Sequence, residues 1–437
     1  MIDDSPHPFQ PISSLLLLLF CVLFINVYDY RTYPSPVPCT GLSAAILLLL
    51  SGDILGASGL VSSSILTPRK TLTDPSITWK LVFLSSFLLC SNLALGKYFA
   101  IDTRLGNDTS IPVVSIYGYL VGGFFVGFGT KLGNGCPTGH GICGMARLSK
   151  RSFSAVMTFM ATAIAMACVT APDNKTLSKA TSFLRTDDEP PVLFNQGLGL
   201  GVTVAVVLPT IISLLSLSRQ YRNRNDGRAT MKSNYSTFDG PKKAKSSPEP
   251  KTKHDENNKD EDKAVGDASA QQPSIEDDEA QRDHIRKLAP AAFVGSIFAV
   301  GLAVSGMVLP SKVLGFLNMY TLFVTNSYDP TLACVMGGGL VVSFVSYQYI
   351  EQYRYFTFFT SKPITCPIVS SKFNITSNTA IDHQLIGGAM CFGMGWAIAG
   401  LCPGPAIFLA ATGTFPVIFA WWPAFMIGSF LAQTIKV

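Results

Sequence analysis

Gly127–Ser149, GFGTKLGNGCPTGHGICGMARLS, sets two cysteines, a histidine and seven glycines between stretches of plain membrane-spanning composition. A segment this polar and bendable is out of place between lipid-facing helices unless protein surrounds it, because backbone groups at membrane depth must find partners inside the protein. Its centre is Cys136-Pro137. A second copy of that centre is Cys402-Pro403, and aligning the two cysteines also superposes Gly122 on Gly388, Gly127 on Gly393 and Gly129 on Gly395. The fixed spacing predicts an internal repeat with the cysteine at its functional point.

Apolar runs flank both copies. The chain is 48% hydrophobic and 14% charged, and many runs are long enough to cross a hydrocarbon core of ~30 Å. Spans are expected at Ile12–Tyr28, from Leu42, at Trp79–Gly96, Val113–Leu132, Phe153–Ala171 and Val192–Leu217. After Leu42 the run frays into LSGDILGASGLVSSSIL, whose glycines and serines suit a close-packed or broken helix better than a lipid-facing one. The N-terminal MIDDSPHPFQP is acidic and proline-bearing where a signal peptide would be basic, so the first apolar run reads as a retained span.

Arg219–Lys287 is a mixed-charge tract with few aliphatic residues. It buries too little apolar area to offset its ordering entropy and reads as a disordered linker. The expected organisation is a first membrane half over residues 1–218, with repeat 1 at about 42–171, a linker over 219–287, and a second membrane half with repeat 2 over 288–437. Spans in the second half are expected at Pro290–Leu309, Leu332–Ile350, Gln384–Leu401 and Pro416–Ile435. Pro310–Met319 and Ala406–Gly413 are too short to cross and read as re-entrant.

Lysine and arginine near span ends orient the chain. With the linker in the cytoplasm, Arg69, Lys70, Arg147, Lys150, Arg151, Arg354, Lys362 and Lys372 fall inside, against Arg104, Lys175, Lys179 and Arg185 outside. Ser58-Gly59 also resembles Ser305-Gly306, and each opens a half that later delivers a Cys-Pro. Four spans per repeat with the sixth span between them invert the second copy relative to the first. The fold class expected is all-α: a polytopic membrane protein built as an inverted repeat, with re-entrant half-helices that start at Cys-Pro, a plan recurrent in secondary transporters.

Proline suits the first position of a helix, which makes Cys136 and Cys402 the capping residues of two short helices. Gly135, Gly139 and Gly404 let the backbone turn and approach closely around Pro137 and Pro403. A capping residue faces free N–H groups and the positive end of the helix dipole, so two such ends converging form an anion site. They would also lower a thiol pKa or let S–H donate to a soft anion. Apart from Asp53 the spans hold almost no carboxylates, which argues against a cation carrier. Lys131 reads as a snorkelling headgroup contact. His140 is equally a structural hydrogen-bonding group and a site residue, and Cys143 would share a face with Cys136 two turns on if an α-helix continued that far. Cys21, Cys90, Cys168, Cys334, Cys366 and Cys391 read as small packing residues. No set of four zinc ligands, haem-attachment motif or nucleotide loop is present, so neither metal nor cofactor is expected.

With these residues in view the chain resembles the YeeE/YedE family of membrane proteins, which carry thiosulfate and related sulfur compounds. The likeness rests on GCPTGHGICGMARLSKRS in the first half, and on SGMVLPSKVLGFLN, DPTLACVMGGG and FGMGWAIAGLCPGPA in the second. The long linker and the extra first span depart from the compact family pattern. The resemblance implies an hourglass-like helical protein whose cysteines pass thiosulfate inward by hydrogen bonds from thiol to anion. By motif that role falls on Cys136 and Cys402, with Cys143 a candidate further station. A membrane transporter without enzymatic activity is expected, its partners being the sulfur anion, the lipid bilayer and a candidate cytoplasmic sulfur carrier, with no nucleic acid. The plasma membrane is the expected location. The alternative is a membrane sulfurtransferase that forms a cysteine persulfide.

Overall fold

The structure, a computed structural model, describes residues 39–66, 74–95, 113–170, 182–186, 195–236, 283–319, 328–358, 362–375 and 379–435. The expected first span Ile12–Tyr28 and residues 237–282 of the linker lie outside them. The described chain is helical apart from two-residue strands β1 (Val113–Val114) and β2 (Arg185–Thr186), which pair antiparallel.

The first half begins with α1 (Cys39–Ser51) and α2 (Ala57–Leu66), separated by a break in which Gly52 takes φ 74°. Next come α3 (Pro75–Leu89), which continues as a π-helical turn over Cys90–Leu95, and α4 (Ile116–Leu132). Then follow the short α5 (Pro137–Gly144), wound as a π-helix, and α6 (Lys150–Thr170). After α7 (Gln196–Ser236), the second half repeats the order. It consists of α8 (Leu288–Val304), short α9 (Pro310–Leu317), α10 (Thr331–Gln348), α11 (His383–Ala399), short α12 (Pro403–Ala411) and α13 (Trp422–Ile435). Six stretches among the described residues are long and apolar enough to cross a membrane, one of which, His383–Ala411, takes in α11 and α12 together.

Two expectations change. The tract from Arg219 does not leave the helix at once, because α7 continues to Ser236 through Arg, Gln, Met and Lys, which are good helix formers, with no proline to stop it. Residues 214–282 form a unit of their own, described only as far as Ser236. Ser58-Gly59 also does not do what Ser305-Gly306 does. It lies inside α2, whereas Gly306 turns the chain after α8 with φ 70°. The residue that plays Gly306's part in the first half is Gly52.

Glycine sets the packing around the breaks. α4 runs against α11, and α4 also packs on α13 as α11 packs on α6. A Cβ at Gly122 would run into Gly395 and Ala399, and one at Gly129 into Gly388 and Phe392. A Cβ at Gly127 would strike the Phe425 carbonyl, and one at Gly393 the Phe159 carbonyl. When Cys136 is aligned with Cys402, Gly122 falls on Gly388, Gly127 on Gly393, Gly129 on Gly395 and Phe159 on Phe425. Each close approach therefore has a counterpart in which the two halves exchange roles. The outer helices follow the same rule, with α3 against α8 and α1 against α10.

The core is a continuous apolar cluster through both halves, with Phe159, Phe392 and Trp396 in edge-to-face and tilted contacts and Trp421 stacked on Phe425 at 5.1 Å. On α7, Leu200, Val204, Leu208 and Ile211 are exposed at helical spacing. Such a stripe is what a bilayer solvates.

Candidate functional site

Each cysteine sits where a helix has just been broken. Asn134 takes the left-handed conformation (φ 57°) after α4, and Gly400 takes it (φ 65°) after α11, each two residues before the cysteine. Only glycine, and less often Asn or Asp, visits this region at low cost. Cys136 and Cys402 are then extended N-caps (φ −131° and −110°), each followed by proline in the first turn. The Cys136 carbonyl accepts from the His140 N–H at 2.9 Å and the Cys402 carbonyl from the Ala406 N–H at 3.1 Å. Neither thiol makes a regular capping hydrogen bond to its own helix, and the Gly404 N–H faces the Cys402 thiol.

The irregular backbone is buried and satisfied. Cys136 is 2% exposed and Cys402 4%. The Gly135 N–H donates to the Thr130 carbonyl at 3.0 Å, and the Gly133 carbonyl faces His140 Nε2 at 3.3 Å. Facing a carbonyl, Nε2 carries the proton, and His140 Nδ1 accepts from the Ser152 hydroxyl at 3.2 Å. His140 thus spends both ring nitrogens on holding the loop, and Gly135 has no room for a Cβ beside the imidazole. Thr138, which the sequence reading passed over inside CPTGHG, links two segments. Its Oγ1 accepts from the Ala57 N–H at 3.1 Å and lies 3.0 Å from Cys136 Sγ.

Cys143 does not share the helix face of Cys136. The π-helical winding of α5 takes more residues per turn than an α-helix, so seven residues do not complete two turns. Its thiol is buried and points to the Leu55 carbonyl at 3.6 Å, in the break between α1 and α2. Among the other candidates, Pro137, Pro403 and Gly404 are buried, and a Cβ at Gly139 would meet open space.

Two cavities flank the cysteines. A vestibule of about 380 Å³ ends on Cys136, Gly135 and Gly139 and is lined by Lys80, Lys131, Arg147, Asp53 and Asn374 among others. Beyond it a pocket of about 20 Å³ is walled by Pro137, Thr138 and Ile142 on one side and Cys402, Gly404 and Pro405 on the other, with Phe298, Met307, Met336 and Trp396 around them. One water needs roughly 10–15 Å³ measured this way. The space between the two cysteine helices therefore holds little more than one water, and it shares no lining residue with the vestibule.

The two half-helices lead away in opposite directions. From α5 the chain turns into the start of α6, where Arg151 pairs with Asp382 at the start of α11 (3.6 Å). α12 ends beside the start of α7, where a Cβ on Gly199 would meet the Ala411 carbonyl and the Asn195 N–H donates to the Gly413 carbonyl. α3 and α7 run side by side with Thr78 near Ser213 and Asn92 donating to the Ala411 carbonyl, which puts these two ends on opposite sides of the bundle. Helices that cross the bilayer around two buried half-helices, with a polar vestibule ending on one of them, define a multi-pass membrane protein of the transporter class.

Relatives sharpen that class to a family. Residues 287–435 match a family of unknown function (DUF6691). A "Probable transporter" of Xylella fastidiosa (strain 9a5c) is 34% identical over 128 residues, which is 29% of this chain and 77% of the relative. A second, from strain Temecula1 / ATCC 700964, is 33% identical over 123 residues, 28% of this chain and 73% of the relative. A third, from the Temecula1 strain, is 34% identical over 128 residues and covered to 84%. The chain belongs to the family of these bacterial relatives.

Proposed function

We propose that the protein takes up thiosulfate or a related sulfur oxyanion across the plasma membrane, along a path that passes Cys136 and then Cys402 or the reverse. The observation that carries this reading is the pair of half-helices that start at Cys136 and Cys402, wall one constricted cavity and both carry proline in the first turn. Two positive helix ends in a water-poor interior favour an anion. Thiol groups suit a soft sulfur-bearing guest, to which S–H is a weak donor. The resemblance to the YeeE/YedE family supports the same substrate class.

An inverted repeat accounts for the exchanged close approaches of Gly122 with Gly395 and Gly129 with Gly388, and for half-helices that leave in opposite directions. Basic residues gather at the end of the bundle where the vestibule opens, with Lys80, Lys131 and Arg147 in its lining and Arg151 and Lys287 close by, which supports a cytoplasmic vestibule and a cytoplasmic linker. The sulfurtransferase alternative needs a base at the nucleophile. The group beside Cys136 Sγ is the Thr138 hydroxyl, and His140 is engaged with Ser152 and Gly133.

Uptake of labelled thiosulfate into vesicles tests the proposal. Cys136→Ala and Cys402→Ala each lower the rate at least tenfold at equal protein level, and Cys143→Ala does so far less. Wild-type rates in both of the first two variants overturn the cysteine path. A persulfide on Cys136 detected by mass spectrometry after exposure to substrate would favour the enzyme instead.

A further inference from the structure

Asp53 is the one carboxylate in the vestibule lining among the described residues. It stands in the break between α1 and α2, 4% exposed, in a cavity that otherwise presents Lys80, Lys131 and Arg147. An uncompensated carboxylate there would oppose an incoming anion. Both of its oxygens are held from the second half of the chain. Lys287 Nζ donates to Oδ2 at 2.8 Å, and Asn374 Nδ2 donates to Oδ1 at 3.1 Å. The ion pair is shielded, its side chains 12% and 6% exposed for Lys287 and Asp53. Lys287 is fixed in turn, because Asp283 one turn before it accepts from the Ser371 N–H at 2.8 Å in the same loop that carries Asn374.

We propose that Lys287 cancels the single negative charge of the vestibule by neutralising Asp53, so that this pair strengthens the positive field that admits anions to Cys136. Lys287 does not line the cavity itself and acts through Asp53. Asp53 in turn holds Lys287 at the junction where the second half begins. The role in admitting substrate rests on the anion-transport reading above, whereas the effect on the vestibule field does not.

Two measurements separate these claims. A reporter cysteine at Gly59, which lines the vestibule and whose Cβ direction is open, is placed in a chain carrying Cys136→Ser, which removes the native thiol of the vestibule, together with Cys334→Ser and Cys366→Ser, the two exposed cysteines among the described residues. Its reaction rates with an anionic and a cationic methanethiosulfonate reagent of similar size report the local potential without any transport. One unit of charge at roughly 10 Å and an effective dielectric of about 20 changes such a rate about tenfold. Because the two rates move in opposite directions, Lys287→Gln is expected to shift the anionic-to-cationic ratio down about a hundredfold, and Asp53→Asn to shift it up. The double variant returns the ratio to within about threefold of the parent, and raising salt shrinks each shift.

The second measurement is KM for thiosulfate at equal membrane levels. Lys287→Gln raises it, Asp53→Asn leaves it equal or lower, Lys287→Arg preserves it and the double variant restores it. A pair that merely holds the fold gives losses of the same sign in both single variants and no restoration. That pattern, or an unmoved reagent ratio in Lys287→Gln, overturns this role of the pair. Absence of thiosulfate uptake by the wild type overturns the transport role while the reagent ratios still decide the effect on the vestibule field.

Discussion

Thr138 illustrates how a single hydroxyl joins chemistry to architecture. It receives the Ala57 N–H, the first free donor of α2, and it rests against the Cys136 thiol. Thr138→Val keeps the shape but leaves the Ala57 N–H unpaired at membrane depth, which costs about 1–3 kcal/mol. The expected outcome is a lower melting temperature in detergent and slower uptake, with Thr138→Ser close to wild type on both counts. Asn134 offers a second case. Its left-handed backbone is cheap for Asn and Gly alone, so Asn134→Gly is tolerated, whereas Asn134→Val destabilises by about 1–2 kcal/mol. Equal stability of the two variants would show that the break before Cys136 does not depend on that conformation.

Among the helices, the deciding contacts are those in which a glycine lets two backbones meet. Membrane helices gain no hydrophobic driving force from packing on one another, so close van der Waals approach carries the association. Gly127 meets the Phe425 carbonyl on α13, and Gly393 meets the Phe159 carbonyl on α6. Gly127→Val and Gly393→Val should therefore be similarly damaging, each by about 1–3 kcal/mol or more from overpacking. Gly139→Ala, whose Cβ points into open space, should be mild. The measurement is thermal aggregation of the purified variants, and a large asymmetry between Gly127 and Gly393 would contradict the matched roles of α4 and α11.

For the molecule as a whole, the vestibule reaches Cys136 while Cys402 lines a separate pocket of about 20 Å³ that shares no residue with it. A membrane-impermeant thiol reagent reaching the vestibule should modify Cys136 well before Cys402, read by peptide mass spectrometry in sealed vesicles of known orientation. Faster modification of Cys402 would place the opening at the other face. The contacts that anchor the start of the second half, Asp283 with Ser371 and Lys287 with Asp53, come from the last residues of the charged tract, after Asp278. Deleting Arg228–Asp278 should accordingly leave uptake within about twofold of wild type, and a tenfold loss at normal membrane level would assign the linker a part in transport.

Composition and periodicity were enough to read a polytopic helical membrane protein, because a ~30 Å apolar crossing leaves an unmistakable run of residues. The Cys-Pro pairs were legible as helix starts for an equally local reason, proline's fixed φ and missing N–H. Other features depend on residues far apart in the chain. That Asp53 is answered by Lys287 and Asn374 rather than standing alone in an apolar span required segments more than two hundred residues distant to meet. The diversion of Cys143 to the Leu55 carbonyl followed from a π-helical winding that no spacing rule signalled, and the matching of Gly52 with Gly306 appeared only in their backbone angles. Local sterics write the breaks and the spans into the sequence. Charge pairing and helix-to-helix approach are settled when the two halves close on each other, because only then is the dielectric low enough and the contact close enough for those partners to be chosen.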